Sequence, residues 1–421
     1  MSQNNAPAIR FQGFHEEWIQ SQLGNLIALG CSGGTPTATN PSYYNGHIPF
    51  LGISDIKDRF IRSTAKHITD AGLNNSAAWI APKGSISLAM YASVGKVGIL
   101  DIDAATSQAF YNMVFSSAGT RDFIYARLKN AELGLEWEPY ISTGTQRNLN
   151  AEKVKSFPLF VPSLKEQEAI GSLFHKLDDL LDASAKKIEK LKQLKTTMLT
   201  KMFPQGDSRV PEIRFSGFQD EWKKWDFSSF FKFGRSVPVT RANLNEKAGN
   251  ALSVHYGDIL TSLPNLVDVS SQKLPFINDP ELVSRLFSKQ LLNGDVVMAD
   301  TAEDESVGRC AELRIRGELP VFGGLHTYVL HPLIECAEGF LGVLMNSALV
   351  HSQIVHFSQG TKVTSVSKEA LSGLLLLIPS LSEQEGISNY FRELDILINF
   401  ELEKLEKLHH LKSAFLASMF V

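Results

Sequence analysis

A stretch of about forty residues occurs twice in this chain, and no other feature constrains the fold as much. Pro162–Phe203 reads PSLKEQEAIGSLFHKLDDLLDASAKKIEKLKQLKTTMLTKMF, and Pro379–Phe420 reads PSLSEQEGISNYFRELDILINFELEKLEKLHHLKSAFLASMF. The copies align without a gap, with about half their positions identical, which is the mark of an internal duplication. Each opens with Ser-x-x-Glu (Ser163 to Glu166, Ser380 to Glu383), the pattern of a capping box in which the carboxylate reaches back to the cap. Neither copy contains an internal proline, so each predicts one long helix.

Past the cap, apolar residues recur at heptad spacing. Leu173, Leu177, Leu180, Leu191, Leu194 and Met198 form one expected seam, interrupted by Ser184 and Lys187. In the same register the second copy gives Tyr390, Leu394, Leu397, Leu408, Leu411 and Phe415, interrupted by Glu401 and Lys404. A coiled coil is the natural reading, and charge fixes its direction. Antiparallel helices crossing near their centres bring Lys187 to Glu401, whereas parallel ones oppose Lys187 to Lys404.

The duplication continues outside the helices. IRFQGFHEEW at 9–18 and IRFSGFQDEW at 213–222 open the two halves, each with two phenylalanines and a tryptophan that predict a clip packed on a neighbour. Between clip and helix lies a stretch of β-branched and aromatic clusters broken by Gly, Pro, Asn and Asp, the texture of a mixed domain with short strands. Landmarks recur there in order. HIPFLGISDI parallels ALSVHYGDI, Val94-Gly95-Lys96 parallels Val307-Gly308-Arg309, and STGTQRNLN parallels SQGTKVTSVS. The expected organisation is a clip at 1–24, a domain at 25–161, a helix at 162–203, a linker and second clip at 204–226, a domain at 227–378 and a helix at 379–421. The fold class is α+β: two pseudo-repeated α/β domains joined by two long antiparallel coiled-coil helices.

Hydrophobic residues at 43% and charged ones at 20% describe an ordinary globular chain, with no run of membrane-span length and a polar N-terminal stretch. Three scattered cysteines predict neither a zinc site nor a disulfide framework, and a reducing cytoplasm is the expected location. A net charge of −4 argues against nucleic-acid binding through bulk charge, so any such contact uses local basic patches.

Catalytic signatures are sparse. Asn40-Pro41-Ser42-Tyr43 resembles the Asn-Pro-Pro-Tyr loop of amino-group methyltransferases but lacks its second proline, and no glycine-rich strand–turn–helix accompanies it. Gly30-Cys31-Ser32-Gly33-Gly34 is not followed by the Gly-Lys-Ser/Thr of a phosphate loop. His351 and His356 are not spaced to share a helix face, so no metal site is expected. What remains are basic and amide groups on small-residue turns at matched places in both halves. Lys96, Thr145, Gln146 and Arg147 are matched by Arg309, Thr361 and Lys362, residue types that hold phosphates or read base edges.

Taken together, the PSLxEQE helix openings, the Met-Phe helix ends and the IRFxGFxxEW clips resemble the specificity subunits of type I restriction–modification systems, over essentially the whole chain. The resemblance implies that each α/β domain is a target-recognition domain reading one half of a bipartite double-stranded DNA sequence. It implies that the helices space the domains and dock two methylation subunits, with restriction subunits joining the complex. Catalysis would then belong to those partners. S-adenosylmethionine, ATP and magnesium would be bound by them, and no cofactor by this chain. A stand-alone DNA-modifying enzyme and a coiled-coil adaptor that never touches DNA are the alternatives. A methylation assay on the chain alone tests the first, and the salt dependence of duplex binding tests the second.

Overall fold

A computed structural model describes residues 6–143, 147–277, 279–358, 360 and 363–421. The chain divides into two compact units, Met1–Ala185 with Glu403–Val421, and Lys186–Leu402. Both unit boundaries fall inside the long helices, which run Leu164–Lys201 and Leu381–Ser418. Each unit therefore contains part of both helices, and within each the two run antiparallel. In the first unit Lys412 Nζ lies 2.5 Å from Asp178 Oδ1. In the second, Lys195 reaches Asp395 at 2.5 Å, and Lys187 reaches Glu401 at 2.7 Å, the contact expected from the charges.

The helix seam departs from the expected one in register. Past the helix entries, Ile170, Phe174, Leu177, Leu181, Ser184 and Ile188 are buried seam positions of the first helix, and Ile387, Phe391, Leu394, Ile398 and Glu401 are buried seam positions of the second. Their spacing still alternates four and three, but every second position lies one residue later than expected. Leu180, Leu194, Leu397 and Leu411 are consequently exposed, at 46%, 37%, 44% and 43%. Leu177 and Leu394 are buried as expected, while Leu173, Leu191, Met198, Leu408 and Phe415 are half-buried against the core clusters. The cause is local degeneracy. Leu173 adjoins Phe174, Leu180 adjoins Leu181 and Leu397 adjoins Ile398, so hydrophobicity allows either seam, and the bulkier Phe174 and Phe391 decide it by reaching the domain cores.

Each unit is built on the same sheet. In the first, the strand order is Leu29–Ser32, Phe110–Val114, Ile86–Ala89, Val97–Leu100, Phe60–Ile61, antiparallel except for the last pair. In the second it is Phe231–Phe233, Thr327–Pro332, Val296–Ala299, Cys310–Arg314, Leu266–Asp268, again with only the last pair parallel. A four-stranded sheet accompanies each one. A two-stranded ribbon (Ile19–Gln22 with Pro158–Val161, Lys223–Asp226 with Leu375–Ile378) ties clip to helix entry.

The clips explain the conserved look of the helix openings. Arg10 donates from Nε and Nη2 to the two oxygens of Glu166 at 2.6 and 2.8 Å, and Arg214 does the same to Glu383 at 2.7 and 2.8 Å. The carboxylate thus does not reach back to the serine cap as the capping box predicts. A guanidinium fork offers two charge-assisted bonds where the cap offers one neutral N–H, and it wins. Gln167 and Gln384 donate to the carbonyls of Pro162 and Pro379, completing matched helix entries. Trp18 packs edge-on to Phe123 and Phe420, and Trp222 to Phe203. Gly13 and Gly217, at φ +95° and +100°, make the sharp turn of each clip that a side chain would strain.

Candidate nucleic-acid interface

In both units a hairpin turn and a downstream loop meet side by side. The first turn closes with Ala89 N donating to Lys96 O at 2.8 Å, Gly95 N to Ala89 O at 2.9 Å and Lys96 N to Ser93 O at 3.1 Å. The second repeats this set as Ala299 to Arg309 at 2.9 Å, Gly308 to Ala299 at 2.9 Å and Arg309 to Ser306 at 3.1 Å. Gly95 and Gly308 stand at φ +87° and +82°, so the Val-Gly-basic landmark is a turn whose glycine is required. The downstream loop then pairs with it: Leu149 N donates to Met90 O at 2.9 Å, and Val366 N to Asp300 O at 3.0 Å. Tyr91 bridges Asn148 in the first unit, and Thr301–Ala302 pairs with Thr364–Ser365 in the second.

The two turns differ in sequence. Ala92 and Ser93 occupy left-handed backbone at φ 36° and 57°, a strained arrangement that packed neighbours must hold in place. The second turn instead carries Asp300 to Glu305, where Asp304 accepts from Ser306 N at 2.8 Å and is held below the ordinary carboxylate range by that residue. Asp300, beside His326 at 3.5 Å, is pushed above that range by burial.

The predicted site residues fall into two groups. Arg147 lies in the short strand Arg147–Asn148, which pairs with Ser142–Thr143. Thr145, Gln146, Thr361 and Lys362 lie outside the described residues, as does the side chain of Arg147. Lys96 and Arg309, by contrast, sit at the base of their turns and face their unit's own helices. Lys96 lines a cavity with Arg59, Asp178 and Lys412. Arg309 donates to the carbonyls of Leu260 and Leu263 at 3.0 and 3.5 Å, capping the short helix Tyr256–Thr261, and burial pulls its pKa below the ordinary guanidinium value.

Beside Lys96 stands a residue that motif reading passed over. Arg59, its side chain 3% exposed, reaches Asp122 at 2.9 Å and Asp178 at 3.0 Å, with its guanidinium 4.6 Å from the ring centre of Tyr125. It ties the domain to the helix through a carboxylate that also holds Lys412. The available signal was the match between copies of Asp178 with Asp395 and of Lys195 with Lys412. Among the described residues, no group of His, Cys, Asp or Glu is arranged to hold a metal, and no helix is long and apolar enough to cross a membrane.

Residues 15–193 match the family described as type I restriction modification DNA specificity domain. Over those residues the chain is similar to the DNA specificity domains of type I restriction–modification systems. It is 26% identical over 272 residues to the MjaIX specificity subunit of Methanocaldococcus jannaschii, an alignment covering 64% of this chain and 59% of that one. It is 27% identical over 166 residues to the HindI specificity subunit of Haemophilus influenzae, covering 38% and 36%. The chain thus aligns with less than two thirds of either relative. The fold matches a solved S subunit of a type I restriction–modification system from M. genitalium over 99% of each chain, with a TM-score of 0.59 and 14% identity.

Proposed function

We propose that this chain is the DNA-reading, non-catalytic subunit of a type I restriction–modification complex. Each domain reads one half of an asymmetric bipartite target in double-stranded DNA. Two methylation subunits dock on the helices, and restriction subunits complete the assembly. The observation that carries this reading is the paired turn and loop of each unit, held by matched backbone hydrogen bonds while their side chains differ. A common scaffold presenting unlike loops suits two half-sites of unlike sequence. Methyl transfer from S-adenosylmethionine and ATP-driven restriction with magnesium are assigned to the partners, consistent with the lack of a glycine-rich cofactor motif in this sequence.

The exposed leucines support the docking assignment. Leu180 and Leu397 stand at matched positions of the two helix copies, as do Leu194 and Leu411. Ile396 and Phe400, at 59% and 61% exposure, extend the apolar strip beside Leu397. One strip per copy suits two identical partners.

The test is a domain exchange read by methylome sequencing of cells carrying the full system. Replacing residues 25–160 with the equivalent domain of a relative should change one half-site and leave the spacer and other half-site intact. Removing about four residues, one helical turn, from the 180–200 stretch should shorten the spacer alone. A swap that rewrites both half-sites, or methyl transfer by the purified chain without partners, overturns the assignment.

A further inference from the structure

Strand pairing puts Asn265 in the second unit where Arg59 stands in the first. Ile99 N donates to Arg59 O at 2.8 Å, and Glu312 N donates to Asn265 O at 2.8 Å, each at the start of the parallel edge pair of its sheet. The consequences for the space behind the sheet differ. In the first unit Arg59 spans to Asp178 and leaves a cavity of about 220 Å³. In the second, the shorter Asn265 bonds to Asn346 and lines, with the matched Asp395, a cavity of about 850 Å³.

The lining of the larger cavity is cationic and hydrogen-bonding. Lys192, Lys195 and Arg309 contribute positive charge, while Asp395 is the one carboxylate among the described lining residues and is already paired with Lys195. Asn265 is 6% exposed. Its Oδ1 accepts from Asn346 at 3.2 Å, but its Nδ2 is buried without a hydrogen-bond partner among the described residues. A buried amide N–H without an acceptor is costly, and a ligand oxygen would remove that cost. Arg309 spends two of its donors on carbonyls, which leaves the others for an anion.

We propose that this cavity is a binding site for a small phosphate-bearing ligand of nucleotide size, held by Lys192 and Arg309 and by the amide of Asn265. The ligand takes the space that Arg59 fills in the first unit and links domain to helix in its place. The volume lies in the range of ordinary small-molecule sites, and the charge balance selects an anion over a second guanidinium. The site lies on the helix side of the turn assigned to DNA and shares Ser306 and Arg309 with the base of that turn, and it stands whether or not that assignment does.

The test uses the full chain and calorimetric titration with AMP, inorganic pyrophosphate, adenosine and arginine amide. AMP and pyrophosphate should bind with dissociation constants below about 1 mM, and adenosine and arginine amide should not. Asn265→Arg, which installs the first unit's residue, should weaken AMP at least about tenfold. Lys192 lies on the exposed helix face, so Lys192→Met keeps the fold and should weaken both probes by about threefold or more. Absence of binding by either anion, binding of arginine amide instead, or unchanged binding by both variants with native melting would each overturn the proposal. So would displacement of AMP by random-sequence duplex DNA, because the cavity would then belong to the DNA surface.

Discussion

Arg214→Ala should cost the second unit far more than an exposed ion pair would. Glu383 is 2% exposed in its side chain and Arg214 11%, and two parallel bonds of 2.7 and 2.8 Å join them. Removing the arginine leaves a carboxylate out of water with one long contact from Trp222 Nε1 at 3.4 Å, and also strips the Asp220 carbonyl of its donor. Breaking one side of such a pair costs about 3–5 kcal/mol, chiefly from the stranded charge. For a unit of roughly two hundred residues, each kcal/mol moves the melting temperature by about 2–4 °C, so the transition should fall by about 6–20 °C. The double variant Arg214→Met with Glu383→Leu leaves no buried charge and should recover most of that loss. Differential scanning calorimetry with urea unfolding measures both. A loss below about 1 kcal/mol for the single variant, or an equal loss for the double, would refute the claim that the clip is held by a buried charge pair.

The seam register gives a second expectation: Leu181→Ala should cost about 2–3 kcal/mol and Leu180→Ala under about 0.5, compared by urea midpoint. Glu312 accepts from Gly339 N and Gly342 N, yet burial pushes its pKa up to about 7 from 4.5. The fold therefore prefers its proton, and this stabilisation is full below about pH 4.5 and lost as pH rises through 7, by roughly 3 kcal/mol at most; Glu312→Gln should flatten that slope in urea melts at pH 5 and 8. Leu397→Glu on the exposed strip should remove one methylation subunit from the complex, read as stoichiometry by native mass spectrometry, with the fold unchanged. Arg147→Ala should weaken DNA binding by the assembled complex; a uniform loss with a salt slope shallower by about one marks a phosphate contact, a loss of about 1–3 kcal/mol at one half-site marks a base contact, and unchanged affinity removes it from the interface.

Helices, clips and the order of landmarks were legible because duplication gives every observation a second reading within the same chain. The antiparallel direction followed from two charges, Lys187 and Glu401, since only one orientation brings them together. The seam register was not legible, because adjacent apolar residues satisfy either choice and the decision rests with domain cores distant in sequence. Likewise, a capping box is a local pattern, and nothing local signals an arginine 156 residues away that takes its carboxylate. Lys96 and Arg309 were rightly matched to each other, and the turn hydrogen bonds repeat to within 0.1 Å. Their direction, toward the helices instead of away from them, depends on which face of the sheet packs inward. Arg59 was invisible for a related reason: its match to Asn265 exists only through strand pairing, where the sequences have diverged beyond alignment.

The seam centre shows where the two copies had to stop being equal. Asp178 with Lys412 and Asp395 with Lys195 are matched ion pairs, one in each unit, so neither distinguishes the copies. Lys187 with Glu401 has no such twin, because the matched positions carry Lys404 and Ser184. Glu401 is buried in its seam, and Ser184 is buried in its own with an oxygen lacking a protein partner among the described residues. Polar groups in an apolar seam cost stability and are tolerated where they fix register. A sequence built from two duplicated helices with the same heptad pattern can slide by a heptad and still bury leucine against leucine. A slide would separate Lys187 from the buried Glu401 carboxylate and lose that ion pair. The unmatched pair thereby sets one helix alignment within the second unit.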